Sequence, residues 1–315
     1  MSDAACPPFS PADASTRAQM TALVAELAVG EGATFSALPG VKFGRSHRSV
    51  PRAPVLYEPG VFILCQGRKR GFLGDQVFSY GANEFLVLTV PMPFEVETVA
   101  TPEVPLLGVS IRLDLAVAAD LALAIDPAGA ATHAVEGIGA APLDAPLADT
   151  VLRLLRALRS PVETRLFGQG LMREVCYRIL TGAKGGAVRA ALAQQSHFGQ
   201  IARALRRIHA DYPERLDVET LAQEVHMSPA AFHAHFKSVT ATSPIQYLKA
   251  TRLHKARLLM IEDGVSASRA SSRVGYESAS QFSREFKRLF GRTPVEEQRI
   301  VHAMYAEPQL GRDRP

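Results

Sequence analysis

The chain has 315 residues, of which 47% are hydrophobic and 21% are charged, and its formal net charge is +4. This length and composition are typical of a globular protein with two domains. The sequence contains no run of about 18 apolar residues, so no membrane span is predicted. Residues 1–10 have neither a basic start nor an apolar core, so they lack the pattern of a signal peptide.

The three cysteines, Cys6, Cys65 and Cys176, are scattered along the chain without the spacing of metal ligands. Scattered cysteines suit a reducing compartment, so we expect a cytoplasmic protein without a disulfide framework. The sequence also contains no Gly-rich phosphate loop and no nucleophile elbow. It therefore predicts neither a metal site nor a cofactor.

The first part of the chain combines a tail with a β-rich domain. Residues 1–14 are rich in Pro, Ala and Ser and are predicted to be disordered, and residues 15–181 are predicted to form the first domain, beginning with a helix over 15–29. From about Val41 to Leu113, short β-type runs alternate with turn residues, which favours a small β-barrel or sandwich. The runs are 55–57, 61–65, 70–73, 76–80, 84–88, 94–99 and 106–111. The interior of such a barrel is either filled by side chains or holds one small ligand.

After Asp114 the pattern becomes helical, with a candidate helix to Ile125 and a connection over residues 126–146. Residues 149–158 and 162–180 then predict two amphipathic helices. We expect this pair to cover the barrel, and a homodimer contact through the same helices is the alternative.

A glycine-rich break begins at Thr181, and residues 182–196 are predicted to be a linker. Residues 197–302 are predicted to form an all-helical domain, followed by a tail over 303–315. Residues 195–300 hold 16 Lys and Arg against 11 Asp and Glu, with six of the nine histidines. A basic domain after a neutral one is typical of a nucleic-acid-binding module.

The basic domain contains an internal repeat. Residues 228–237 match residues 278–287 with an offset of 50, at the first Ser, at both Phe and at the final Lys. Upstream the offset is 49, which one extra residue around Gly275 and Tyr276 in the second turn explains. Each copy predicts a short helix, a tight turn, a longer helix and a Ser/Thr-Pro helix start, so we expect two tandem helix-turn-helix units.

The stretch from Ser278 to Phe290 predicts the most informative helix. Phe282, Phe286 and Leu289 fall on one face, while short polar side chains and cations occupy the other. Ser278 is a natural N-cap. The alternative for a single stretch of this kind is an ordinary surface helix. The pattern occurs twice in the chain, and this repetition favours a pair of DNA recognition helices.

Several stretches resemble the AraC/XylS-type transcriptional regulators. In the basic domain they are residues 232–237 and residues 274–291. The N-terminal half is similar to the AraC-type N-terminal regulatory domain in residues 38–41, 55–60, 65–71 and 105–108.

This resemblance implies an α+β two-domain protein, with an N-terminal cupin-like β-barrel with flanking helices and a seven-helix DNA-binding domain. It implies a sequence-specific transcriptional regulator that binds double-stranded promoter DNA, works with RNA polymerase and senses a small effector. The recognition helices would enter successive major grooves roughly 34 Å apart. Members often have Arg where this chain has Ala234 and Gly where it has Ala241, so Ala241 is strained if that position needs a positive φ.

Helical position selects the candidate DNA contacts. On the second helix, Ser280, Gln281 and Arg284 are predicted to reach base edges, because Arg pairs best with guanine and Gln with adenine. On the first helix, Ala230 is a candidate for a thymine methyl group and His233 for a base or phosphate. The predicted phosphate partners are Lys237, Lys287 and Arg288. A solvated surface charge is the alternative for each cation, and we expect most base reading from the second helix.

The N-terminal domain offers a second candidate site, formed by Tyr57, Cys65 and Arg68. The Arg68-Lys69-Arg70 cluster can lower a thiol pKa, which would make Cys65 a sensor of electrophiles or oxidants. The alternative is that Cys65, at the end of the apolar run 61–64, is a small core residue.

Three other classes of protein are to be considered. A cupin-type enzyme fused to a DNA-binding module would need clustered metal ligands, and the strand region offers only His47. A DNA-repair alkyl-transfer protein would need a zinc-bound cysteine cluster, which three scattered cysteines do not supply. We therefore expect no catalytic residues, and a ligand-independent DNA-binding protein is the other alternative, which weak sequence preference would reveal.

Overall fold

The computed structural model describes residues 10–125, 138–192 and 197–305. Residues 1–9 and 306–315, which make up most of the two predicted tails, lie outside these ranges. Contacts divide the chain into two units, residues 1–53 with 57–203 and residues 54–56 with 204–315, and the later boundary falls within the helix over residues 197–211. All described strands precede residue 143, and the described elements after it are helices.

The first unit combines ten strands with five helices in its described part. Their bounds are α1 Ala14–Leu27, β1 Gly32–Phe35, β2 Val41–Ser46, β3 Val50–Tyr57, β4 Gly60–Gln66, β5 Arg68–Leu73, β6 Gln76–Gly81, β7 Glu84–Leu88, β8 Met92–Val99, β9 Leu106–Arg112, α2 Leu115–Ile125, β10 Ile138–Pro142, α3 Ala145–Ala157, α4 Pro161–Thr181 and α5 Gly185–Leu192. Every strand predicted from the sequence is present. The region predicted to be a linker, residues 182–196, contains α5, and its Val188 is buried in the core of this unit.

The strands form two sheets in the described part of the chain. The six-stranded sheet has the order β1-β2-β9-β4-β7-β10, and the four-stranded sheet has the order β3-β8-β5-β6. The strand pairs on either side of β4, β5 and β9 are antiparallel. The β-rich domain is therefore confirmed, while the closure of the two sheets into one continuous barrel is not.

Alternation along β4 separates two environments. Val61, Ile63 and Cys65 point toward the helices and belong to one large core. Phe62, on the other face, stacks on Tyr57 of the second sheet with ring centroids 4.8 Å apart. A strand that is buried on both faces has a continuous apolar sequence. This is the pattern from which β4 was predicted.

Helix α1 packs on β2, β4 and β9 of the six-stranded sheet, and α3 packs on α1 and α4. Val24, Val151, Leu155 and Val175 are each fully buried in the core that these helices share with the sheet. The helices predicted over 149–158 and 162–180 are present, and the homodimer contact through them stays a prediction. Asp144 caps α3 by accepting a hydrogen bond from the Leu147 amide at 2.8 Å, which explains why that helix begins earlier than its apolar stripe.

Strand β10 was not predicted, because the sequence assigns residues 126–146 to a connection. It pairs antiparallel with β7, from Ile138 opposite Leu88 to Pro142 opposite Glu84. The strand has the sequence Ile-Gly-Ala-Ala-Pro, and Gly, Ala and Pro are all depleted in strands. Its conformation therefore follows from pairing with a neighbour rather than from local preference. Residues 126–137 lie outside the described part.

The second unit contains seven helices in its described part. They are α6 His197–Asp211, α7 Val218–Glu224, α8 Pro229–Thr240, α9 Pro244–Glu262, α10 Ala267–Arg273, α11 Ala279–Phe290 and α12 Pro294–Tyr305. The pairs α7/α8 and α10/α11 are the two predicted helix-turn-helix units, and both are confirmed. A hydroxyl or carboxylate side chain caps the start of five of these helices, at Asp217, Ser228, Ser243, Ser266 and Ser278.

Helix α9 lies between the two helix-turn-helix units and packs on both. Tyr247 is fully buried, with its ring 5.4 Å from that of Phe236, and Met260 is fully buried in the cluster around Phe282. Leu248, Leu253 and Ala256 of this helix are buried, and Leu259 is half-buried. Ile245, in the first turn, is 40% exposed.

Candidate nucleic-acid interface

The two recognition helices are built from the same parts. In α8 the buried pair is Phe232 and Phe236, with ring centroids 5.5 Å apart, and in α11 it is Phe282 and Phe286, at 5.6 Å. These i, i+4 pairs fix which face of each helix is buried, and therefore which face reaches solvent.

The predicted DNA contacts all reach solvent. Ala230, His233 and Lys237 are exposed on α8, and Ser280, Gln281, Arg284, Lys287 and Arg288 are exposed on α11. Helix α11 thus presents polar and cationic side chains along its free face. Helix α8 presents two alanines, Ala230 and Ala234, on the corresponding face, so it offers fewer hydrogen-bond donors.

The turns differ by one residue, as the change of offset predicts. Residues 225–227 connect α7 to the N-cap of α8, whereas residues 274–277 connect α10 to the N-cap of α11. His226 and Gly275 both have a positive φ, +57° and +82°, so they are equivalent and the extra residue is Glu277. At Gly275 a Cβ atom would lie 2.1 Å from the Pro213 carbonyl oxygen, so this turn requires glycine.

A residue of α9 holds the turn that precedes α11 in place. The guanidinium of Arg252 on α9 donates to three carbonyl oxygens, those of Tyr212 at 2.7 Å, Glu214 at 2.7 Å and Gly275 at 3.2 Å. A planar guanidinium suits donation to several acceptors because its N–H groups are fixed in direction. Arg252 therefore connects the loop after α6 to the turn that introduces α11.

The sequence did not single out the polar cluster around Glu285. This α11 carboxylate accepts hydrogen bonds from Lys249 Nζ at 2.8 Å, from the Tyr276 hydroxyl at 2.7 Å and from Gln281 Nε2 at 3.2 Å. The i, i+4 spacing of Gln281 and Glu285 could have suggested the last bond. The other two depend on the packing of α9 and the turn against α11.

Ala241 ends α8 in the left-handed conformation, with φ +56°, so the predicted strain is confirmed. Its counterpart at the end of α11 is Gly291, with φ +76°. Left-handed φ costs a residue with a Cβ about 1–2 kcal/mol, which the lower backbone entropy of alanine in the unfolded chain partly offsets.

We expect Ala241→Gly to raise the free energy of unfolding by about 0.5–1 kcal/mol. The matched change Gly291→Ala should lower it by a similar amount, because no atom lies within 4 Å of the added Cβ and only the backbone conformation is affected. Urea unfolding measures both. A destabilised Ala241→Gly variant would contradict this account of the helix end.

Two histidines of this unit pack against its core, His254 buried and His209 half-buried. The His209 ring nitrogen lies 2.8 Å from the Tyr247 hydroxyl, and the His254 ring packs edge-on against Phe290. Burial, followed by the nearby charge of Lys255, lowers the pKa of His209 to about 4. Burial, followed by the charge of Arg257, lowers the pKa of His254 to about 3. Both are therefore neutral at physiological pH and belong to the core rather than to the DNA-facing surface.

The three candidate residues of the first unit do not come together. Tyr57 lines a cavity, Cys65 is buried toward the helices, and Arg68 is exposed. Burial raises the pKa of the Cys65 thiol to about 12. A reactive sensor needs an accessible thiol with a low pKa, so this environment favours the alternative that Cys65 is a core residue.

The cavity of the first unit has a volume of about 170 Å³ and lies at one end of the sheets. Its polar lining includes Lys42, Tyr57, Glu58, Ser110 and Arg112. Behind it, the ammonium group of Lys69 donates to the Tyr57 hydroxyl at 3.1 Å and lies 5.0 Å from the centre of the Phe62 ring. Cationic and hydroxyl groups are thus combined with an aromatic wall.

Within the described ranges, no group of three or more His, Cys, Asp or Glu side chains is placed to hold a metal ion. None of the helices described has the length and apolar character needed to span a bilayer.

Comparisons with known proteins found a matching family model for each unit. Residues 37–187 match the family model of the AraC-type transcriptional regulator N-terminus, and residues 221–299 match a helix-turn-helix domain model. The HTH-type transcriptional regulator AlkR of Acinetobacter baylyi is 36% identical over 96 residues, which are 30% of this chain and 31% of AlkR. The bifunctional transcriptional activator/DNA repair enzyme AdaA of Bacillus subtilis is 30% identical over 88 residues, 28% of this chain and 42% of AdaA.

These alignments span less than half the length of either curated relative. The fold likeness extends further. ToxT from Vibrio cholerae, in its structure with a bound unsaturated fatty acid, superposes with a TM-score of 0.60 at 11% identity, over 85% of this chain and 97% of ToxT. With two family models matching in succession and both helix-turn-helix units in place, the chain belongs to the AraC-type transcriptional regulators.

Proposed function

We propose that this protein controls transcription by binding double-stranded promoter DNA, with α8 and α11 in successive major grooves. The observation that carries this proposal is the pair of helix-turn-helix units, each with its recognition helix anchored by two buried phenylalanines and exposed on the opposite face. A recognition helix in the major groove places its N-terminal residues at base edges. The net positive charge of this part of the chain supplies phosphate attraction.

We further propose that the two helices divide the work. Helix α11 carries Ser280, Gln281 and Arg284, which have hydrogen-bond donors or acceptors suited to base edges. Helix α8 carries Ala230 and His233, so it contributes one donor and one methyl group. Lys237, Lys287 and Arg288 would contact phosphates, which hold both helices on the duplex without reading sequence.

Selection of bound fragments from the host genome, with and without candidate metabolites, tests the regulator proposal. We expect one class of operator, bound at least about 10³-fold more tightly than random DNA at physiological salt. A ratio near one would identify a DNA-binding protein without sequence preference and would overturn the proposal.

We also infer that the cavity of the first unit binds a small anionic effector. Lys42 and Arg112 outnumber the single lining carboxylate of Glu58, and the Tyr57 and Ser110 hydroxyls add donors. Pockets for drug-sized ligands measure roughly 300–1,000 Å³, and this one is about 170 Å³. The effector is therefore expected to be smaller than a drug-sized ligand.

Replacing Lys42 with alanine should weaken binding of such an effector about tenfold, because a hydrogen bond to a charged group contributes about 1.5 kcal/mol or more. The matched control is Arg48→Ala, which removes another exposed cation from outside the cavity. Calorimetric titration with a panel of small carboxylates and their neutral amides measures both. Equal losses in the two variants would contradict a site at Lys42.

The remaining roles follow from this function. We propose that the protein acts in the cytoplasm and contacts RNA polymerase at the promoters it controls. We propose no enzymatic activity for the chain, in contrast to AdaA, whose name includes a repair function. A homodimer stays a prediction, and sedimentation at several concentrations measures it.

A further inference from the structure

Glu285 is not among the assigned DNA contacts, yet its carboxylate lies at the centre of a cluster that includes one of them, Gln281. Its side chain is 13% exposed, yet three donors from three elements reach it: Lys249 of α9, Tyr276 of the turn and Gln281 of α11 itself. Lys249 and Gln281 share one carboxylate oxygen, and Tyr276 takes the other. Such a cluster fixes the position of each member more tightly than a single surface bond.

The charge state of Glu285 decides what it can do to its neighbours. Burial acts to raise the pKa of this carboxyl group, but the hydrogen bonds from Lys249, Tyr276 and Gln281 outweigh it and lower the pKa below the ordinary value. The group is therefore ionised at neutral pH. An ionised carboxylate only accepts hydrogen bonds.

An acceptor-only neighbour fixes the orientation of an amide. Gln281 must turn its NH₂ group toward Glu285, because its carbonyl oxygen would be repelled there. The N–H on the side away from the carbonyl oxygen points back along the side chain toward its own helix, where Glu285 lies. The carbonyl oxygen and the adjacent N–H then face outward together, and this is the pair of groups that adenine N6 and N7 require.

We propose that Glu285 is a positioning residue that makes Gln281 selective for adenine. The proposal rests on the proposed reading of bases by α11, and it adds the reason why Gln281 prefers one base over the others. A free glutamine amide can present either edge and so tolerates more than one base. A glutamine held by Glu285 presents one edge before DNA arrives, so the base that fits this edge gains the preference.

The first helix-turn-helix unit lacks the same arrangement. Ala231 stands where α11 has Gln281, and Met227 stands where the second turn has Tyr276. Neither side chain has a hydroxyl or amide group, so two of the three bonds have no counterpart. The operator segment bound by α8 therefore serves as an internal control for any general change in affinity.

The experiment uses the full chain and four operators that differ only at the base pair read by Gln281. That base pair is located as the one whose preference Gln281→Ala abolishes. We expect the wild type to favour adenine by about tenfold or more, and Glu285→Gln to reduce this preference to about threefold or less. The amide introduced by that substitution offers both a donor and an acceptor, so the Gln281 amide is free to turn. Preferences in the α8 segment should not change.

Tyr276→Phe is the matched control, because it removes another bond to the same carboxylate and leaves the Gln281 bond in place. A purely structural role of Glu285 would lower stability in both variants and change base preference in neither. Adenine preference retained in Glu285→Gln overturns the proposal. If Gln281→Ala alters no base preference, base reading by Gln281 itself fails, and the two failures are thereby distinguished.

A second measurement needs no variant of Glu285. The side-chain amide protons of Gln281 in the free wild-type protein, assigned by their loss in Gln281→Ala, report whether the amide is held. We expect two separate resonances with one shifted by the carboxylate, and slowed exchange with solvent. Shifts equal to those of a free glutamine would also overturn the proposal.

Discussion

Replacing Arg284 with alanine is expected to weaken binding to the specific operator by about 1–3 kcal/mol, which is roughly 5- to 150-fold. Arg284 is exposed one turn after Gln281 on α11. Its guanidinium can donate two parallel hydrogen bonds to guanine O6 and N7, an arrangement that no other base pair accepts as well. The same substitution should relax the preference at one base pair. The Arg284→Ala variant should then bind the original operator and operators altered at that base pair equally.

Lys287→Ala is the appropriate comparison, because Lys287 lies on the same helix and is also exposed. Loss of a phosphate contact should weaken specific and random DNA alike and reduce the slope of log affinity against log salt by about one. Gel-shift titrations at several salt concentrations separate the two effects. An unchanged operator affinity in Arg284→Ala would show that α11 does not read this base through Arg284.

Acidification from pH 7.5 to pH 5 is expected to destabilise the helical unit by about 4 kcal/mol, about 2 kcal/mol for each of His209 and His254. Both pKa values fall on folding, from 6.5 to about 4 and about 3. At a pH between 6.5 and the folded pKa values, the unfolded state therefore binds more protons than the folded state. This contribution to stability is fully present above pH 6.5 and is lost as the pH falls toward the folded pKa values.

Amide hydrogen exchange of α6 and α9 in the full chain measures this loss within the unit concerned. His209→Gln should remove about half of the pH dependence, whereas His233→Gln, which changes an exposed histidine on α8, should leave it unchanged. A helical unit equally stable at pH 5 and pH 7.5 would contradict the burial of neutral histidines.

The helix-turn-helix units could be predicted because their signals are local. An N-cap, two phenylalanines at i and i+4 and a closing turn fall within about 15 residues, and no distant contact is needed to recognise them. Even the strained end of α8 could be anticipated from Ala241 standing in a glycine position. The exposure of Gln281 and Arg284 follows from the same periodicity, since the buried faces of the helices are fixed by Phe282 and Phe286.

Features that depend on distant packing could not be predicted in this way. Strand β10 is defined by its pairing with β7, and the bond from Lys249 to Glu285 joins residues 36 positions apart. The position of Cys65 is an intermediate case. Alternation along β4 puts it on the same face as Val61 and Ile63, and this signal was available beside the basic cluster that suggested a sensor.

The most direct test is a complete series of single-base substitutions across the operator, with the affinity of the wild-type chain measured for each. We predict two protected segments about one helical turn apart, with penalties of about 1–3 kcal/mol per base concentrated in the segment that depends on Gln281 and Arg284. The other segment should show small penalties and mainly salt-dependent binding. Equal penalties in both segments, or larger ones in the segment bound by α8, would contradict the unequal roles of the two helices.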